Sequence, residues 1–212
     1  MPILSNDKSP SFFAPFGPTM GYFKMPAEMV DFLNQSMEKK LDDFSDHLVG
    51  KVTQELHFDK ETRKYAAEQL IEFIFNYHEY TKNRNSMGAE SLDRNKKPHL
   101  DIIAAWFVRQ FENEYNPMHV HTNCTLSCVG YLKLPEGIDE EWEEDYKDHY
   151  PANGHINFIY GTDDAYTMSN FLVKPQVGDF YIFPSYLFHG VYPFYTKGER
   201  RSFSMNMTFG MI

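Results

Sequence analysis

Residues 116–135, NPMHVHTNCTLSCVGYLKLP, constrain the fold more than any other part of the chain. His119 and His121 stand two apart behind an Asn-Pro turn, and a β-prone run from Thr125 to Leu134 follows. Side chains two apart on a strand share a face, about 6.6 Å from each other along the backbone. Both imidazoles can therefore lean onto one metal ion. Further on, the apolar block GDFYIFPSYLFHG ends at a third histidine, His189, and leads into the strand-like RRSFSMNMTF. An isolated His-x-His is more often two polar residues on an outer strand face. Here the turn before the pair, the apolar strand after it and the distal histidine favour a metal site, because opposite strands of a barrel bring distant ligands together.

Ahead of this region the pattern changes period. Pro26 suits a first helical turn, and Met29, Val30, Phe32, Leu33, Met37 and Leu41 recur at helical spacing after it, which predicts a helix ending by Gly50. A second helix is expected from Asp59, a candidate N-cap, to Lys82, with Tyr65, Ala66, Leu70, Ile71, Phe73, Ile74 and Tyr77 on its apolar side. Residues 1–25 mix Pro, Gly and Ser with Phe and Tyr, as an extended arm or edge strand does. Both helices read as scaffold. A polar loop separates them from a β-rich remainder that begins near Leu100, where IIAAWFVRQF, HINFIY and FLVKP read as strands. The expected organisation is one domain over residues 1–212, with an arm and supporting helices over 1–98 and a β core over 99–212.

Composition narrows the class of partner. A formal charge of -10 argues against an extended phosphate-binding surface, so nucleic acid is disfavoured. The 42% hydrophobic and 17% aromatic content is that of a folded chain rather than a disordered one. No apolar run approaches the roughly 20 residues that cross a bilayer, and no signal-like segment opens the chain. Cys124 and Cys128, four apart in a strand-like run, would lie about 13 Å apart, too far for a disulfide. A soluble protein in a reducing cytoplasm is expected. The segment EGIDEEWEEDYKDHYPAN carries eight carboxylates against one lysine and reads as a solvated insertion, with a lip over the barrel mouth as the alternative. Oligomeric state, a homodimer included, is left open.

The last strand supplies a second polar group. Arg200, Ser202, Ser204 and Asn206 alternate and share a face, while Arg201, Phe203 and Met205 share the other. A guanidinium with a hydroxyl beside it is an anchor for a carboxylate. A slip of one residue would put Arg201 there instead. Ser127 shares a face with Tyr131. Asn113 and Asn116 are weaker candidates for the mouth, and Trp106, Phe107, Phe111, Phe183 and Phe188 read as barrel core. His99, His149 and His155 lack partners at ligand spacing. Asp179, in a Gly-Asp turn ten residues before His189, belongs at the far end of that strand.

Taken together, HVHTNCTLSCVGYL, KPQVGDFYIFPSYLFHGVYPF and RRSFSMN resemble the Fe(II)/2-oxoglutarate-dependent oxygenase superfamily. The closer similarity is to small, uncharacterised-type members of marine bacteria and phages, the more distant one to prolyl 4-hydroxylases. The resemblance covers residues 100 to 209 and implies a mainly β fold, a double-stranded β-helix (a jelly roll, cupin-like), with the N-terminal helices on one sheet's outer face. It implies Fe(II) held by His119, His121 and His189, and 2-oxoglutarate held by Arg200 and Ser202, with Tyr131 and Ser127 as further contacts. It also implies O2 as co-reactant and a small-molecule or peptide substrate. The superfamily's second ligand is a carboxylate. This chain has His121 there, which leaves open a three-histidine site or an acid from elsewhere. Competing readings are a three-histidine, cupin-type dioxygenase that does not use 2-oxoglutarate, and a non-catalytic jelly-roll binding module.

Overall fold

A computed structural model describes residues 10–13, 17–45, 49–85, 97–143, 152–165 and 167–211. The first nine residues, most of the polar loop and residues 144–151 of the acidic segment, with His149, lie outside the described residues.

In chain order the elements are β1 (Ser11–Phe13), β2 (Met20–Lys24), α1 (Ala27–Met37), β3 (Gln54–His57), α2 (Lys60–Asn85), β4 (Pro98–Gln110) and β5 (Asn116–His119). There follow β6 (Leu126–Lys133), α3 (Ile138–Glu143), β7 (Ile156–Ile159), β8 (Asn170–Val173), β9 (Asp179–Pro184), β10 (Phe188–Val191) and β11 (Arg200–Met211). One sheet has the order β1-β2-β9-β6-β11-β4-β3 and the other β5-β10-β7-β8. From β4 onward, four strands in each sheet make the expected eight-stranded jelly roll. The other three come from the N-terminal segment and widen the large sheet at both edges.

Period-2 alternation on the long strands sorts their side chains between two cores. Phe203, Met205 and Met207 of β11 and Cys128 and Leu132 of β6 face outward. They meet Met29, Leu33 and Met37 of α1 and Ala66, Leu70, Phe73, Ile74 and Tyr77 of α2. The helices thus cover the outer face of the large sheet, as expected. Asp59 caps α2 by accepting the Thr62 N–H at 2.7 Å. On the other face, Val129, Tyr131, Tyr181 and Phe183 meet Ile156, Phe158 and Val173 of the small sheet. The site opens in this inter-sheet layer.

Three details depart from the sequence reading. β3 was not expected; it is short and polar, and it pairs with β4 through Glu55↔Val108. Phe188 is not core but 53% exposed, because its neighbour His189 takes the inward place on β10. The described part of the acidic segment is not simply solvated: Glu141 is buried and accepts the N–H groups of Tyr195 and Thr196, at 2.9 and 2.7 Å.

Candidate metal centre

The register of the small sheet brings two histidines together. His119 ends β5 and pairs with His189 on β10, their ring centroids 4.4 Å apart. His121 follows in the loop, where its N–H bonds to the Ser185 carbonyl at 2.9 Å. Its ring lies 5.0 Å from each of the others, and its Nε2 is 3.2 Å from that of His189. One ligand atom from each of the three lies within 4.8 Å of the others. Among the described residues no carboxylate joins this group. Asp179 is spent elsewhere, on Lys24 Nζ at 2.9 Å, Tyr22 Oη at 3.0 Å and the Gln176 N–H at 2.9 Å.

Hydrogen bonds behind the rings set their tautomers. His119 Nδ1 lies 2.7 Å from the Pro117 carbonyl, and His189 Nδ1 lies 2.9 Å from that of Leu187. A carbonyl only accepts, so each Nδ1 carries the proton and each Nε2 presents a lone pair, the arrangement that orients metal-ligating imidazoles. Burial holds all three rings below the ordinary histidine range. His121 is lowered to about 4 by burial and then by His119. His189, packed against Phe183 and Phe158, is lowered well below it by burial and by both other histidines. Neutral imidazoles of this kind suit a first-row divalent metal.

Beside the cluster lies a cavity of about 280 Å³. Arg200, Tyr131, Ser202, Ser204, Asn206 and Asn116 line it together with the three histidines. Arg200 is 2% exposed. Its Nη1 donates to the Gly154 carbonyl at 2.7 Å and its Nη2 to Oε1 of Gln110, its register partner on β4. Those two bonds fix the guanidinium plane. Its Nε and the Tyr131 hydroxyl are buried without a partner among the described residues. Burial raises the Tyr131 phenol to about 12, so it remains a donor at neutral pH. Two buried donors without acceptors are costly unless a ligand completes them. A carboxylate fits that demand.

Arg201 faces the other way, into ion pairs with Glu38 at 2.6 Å and Glu199 at 2.9 Å. The register therefore puts Arg200 at the cavity. Ser127 stands on the Tyr131 side of β6 but is set back from the lining; its hydroxyl donates to Asn206 Oδ1 at 3.2 Å. Of the weaker candidates, Asn116 lines the cavity and Asn113 occupies a turn at φ 64°. His155 is half-buried, near Trp142 and bonded through Nδ1 to the Asn153 carbonyl at 2.8 Å. Sequence reasoning missed Gln110 and Gly154, the partners of Arg200, and also Glu55 of β3, which lines the cavity. No periodic signal marks a buried glutamine or a carbonyl.

Residues 104–206 match the family described as putative 2OG-Fe(II) oxygenase. Over those residues, just under half of its length, the chain is similar to the Fe(II)/2-oxoglutarate oxygenases. This oxygenase is an oxidoreductase of a family that uses Fe(II), 2-oxoglutarate and O2. No curated protein matches its sequence. Among solved structures it is similar to a Pseudomonas putida prolyl-4-hydroxylase, at 16% identity and TM-score 0.51, over 93% of this chain and 91% of that one. It is similar to a viral collagen prolyl hydroxylase from Paramecium Bursaria Chlorella virus-1, in complex with 2-oxoglutarate, at 14% identity and TM-score 0.51, over 97% and 98% of the two chains. It is also similar to HygX of Streptomyces hygroscopicus, with nickel, 2-oxoglutarate and hygromycin B bound, at 12% identity and TM-score 0.54, over 90% and 82%. At these identities the likeness establishes the oxygenase's fold. Among its described residues no helix is long and apolar enough to cross a membrane.

Proposed function

We propose that this chain couples decarboxylation of 2-oxoglutarate, to succinate and CO2, to hydroxylation of an unactivated C–H bond in a small-molecule or peptide substrate. The observation that carries this reading is one cavity lined by three neutral imidazoles and by Arg200 and Tyr131, two side chains whose buried donors have no partner among the described residues. His119, His121 and His189 would hold Fe(II), the first and last through Nε2. Arg200 Nε and Tyr131 Oη would take the distal carboxylate of 2-oxoglutarate, with the Ser202 hydroxyl beside them. When bound, the iron supplies the activation of O2, which no side chain here can perform.

The chain's own residues bind, orient and dry the site. Gln110 and Gly154 hold the Arg200 fork in one plane, which lowers the entropy lost on binding. Val129, Ile156 and Phe183 give the cavity apolar wall, which strengthens each polar contact inside it. The superfamily's substrates set no choice for this chain. Neighbours that include prolyl hydroxylases and a hygromycin B complex support a peptide or small molecule.

The test is anaerobic addition of Fe(II) and 2-oxoglutarate, read by the visible metal-to-ligand charge-transfer band of the chelated cosubstrate. The band is expected in the wild type, absent in His189→Ala, and displaced to much higher 2-oxoglutarate concentration in Arg200→Lys and Tyr131→Phe. The all-imidazole set favours a second reading, a dioxygenase whose own substrate chelates the iron. Iron binding without the band would decide for that reading and against ours.

A further inference from the structure

Glu55 is a buried acid that the oxygen chemistry does not use. It lines the cavity, is 3% exposed, and its Oε1 has no hydrogen-bond partner among the described residues. Its position follows from register: Glu55 on β3 pairs with Val108 on β4, Val108 with Ser202 on β11, and Ser202 with Tyr131 on β6. With strands about 4.8 Å apart, Glu55 stands roughly 10 Å across the sheet from Ser202, at the opposite end of the cavity from Tyr131. Phe44, whose N–H bonds to the Glu55 carbonyl at 2.7 Å, and Trp106, the register partner of His57 on β3, also line the cavity, their rings 5.5 Å apart. Trp106 in turn lies 5.9 Å from the ring of His121.

Nearby acids do not share this condition. Glu114 accepts the Thr53 hydroxyl and the Phe111 N–H, and Asp43 accepts the Ser45 N–H. Neither relieves Glu55. Burial, then Asp43 and Glu114, push its carboxyl up to about 8. A buried carboxyl beside two aromatic faces, in a field of other carboxylates, is the environment that a cation completes, through an ion pair and cation–π contact.

We infer that this end of the cavity binds a protonated alkylamine of the substrate, with Glu55 as its counter-ion and Trp106 and Phe44 as its aromatic walls. This names the substrate class for the oxygenase reading above, and rests on that reading only for where the oxidised carbon lies. An ammonium held at Glu55 directs its carbon chain along Trp106 toward the three imidazoles.

The test compares n-hexylammonium with 1-hexanol as probes, by calorimetry on the full chain, without metal and again with Fe(II) and 2-oxoglutarate under anaerobic conditions. The ammonium is expected to saturate, with the alcohol about tenfold or more weaker, and Glu55→Gln is expected to erase the difference. Equal binding of the two probes by the wild type, or no saturation by the ammonium, overturns the inference without recourse to a variant. Undiminished ammonium binding by a folded Glu55→Gln overturns it too. Loss of the charge-transfer band with ammonium binding intact would instead count against the oxygenase reading alone.

Discussion

His189 stands directly opposite His119 across the β10–β5 ladder, so one register holds two of the three imidazoles. A slip of one residue on β10 would bring Phe188 or Gly190 there instead. We expect His119→Ala and His189→Ala each to lower iron-dependent 2-oxoglutarate turnover by more than about a hundredfold, since a lost ligand costs more than the 10–100-fold typical of an outer-shell partner. The fold should persist, because strand pairing is a backbone property. Circular dichroism with succinate release checks both halves; retained turnover in either variant sinks the metal assignment.

Acid should destabilise the metal-free protein through these rings. Their folded-state pKa values are depressed, that of His121 to about 4, while an unfolded histidine titrates near 6.5. Between those values the unfolded chain binds protons that the folded chain does not, so stability falls as pH drops. The melting temperature of the apo-protein should decline from about pH 6.5 toward pH 4. His121→Gln should flatten part of that slope.

Glu55 predicts the opposite trend in alkali. Its folded carboxyl is raised to about 8 from 4.5. From the lower value to the higher the folded state holds the extra proton, so stability is lost as pH rises through that window. Glu55→Gln should melt with the wild type near pH 5 and several degrees above it near pH 9. Parallel curves at all pH values would show that Glu55 is not buried as an acid.

Gly130 on β6 is covered by the ring of Phe203, its register partner on β11 and a fully buried residue. A methyl group there collides with that ring, which has no space to yield among Phe58 and Phe180. Gly130→Ala should cost about 1–3 kcal/mol, measured by urea unfolding. The contact lies on the helix side of the sheet, so the affinity for 2-oxoglutarate should be unchanged.

The sequence made the chemistry more legible than the frame around it. The His-x-His pair, the distal histidine and the Arg-x-Ser alternation are short-range patterns, and the structure gathers His119, His121, His189, Arg200, Ser202 and Tyr131 around one cavity. The two long helices were readable because their apolar stripes recur at helical spacing. What escaped was written in single residues. β3 is four residues long and turns a glutamate inward, so no alternation of apolar and polar announces it. Gln110 and the Gly154 carbonyl serve Arg200 through pairings that only the folded chain creates. Ser127 had the right parity for the cavity, yet Asn206 takes its hydroxyl.

β3 also separates two kinds of change that most enzymes must make together. The strands that carry His119, His189 and Arg200 all follow residue 97, whereas Glu55 arrives on a short edge strand paired with β4, and Phe44 lies in the segment before it. Glu55 takes no part in the pairings that set the registers of β10 and β11, which run through β5 and β7 and through β4 and β6. On the amine-binding inference, a change of charge at Glu55 would alter selectivity at the edge of the large sheet and leave the pairings that place the histidines and Arg200 as they are.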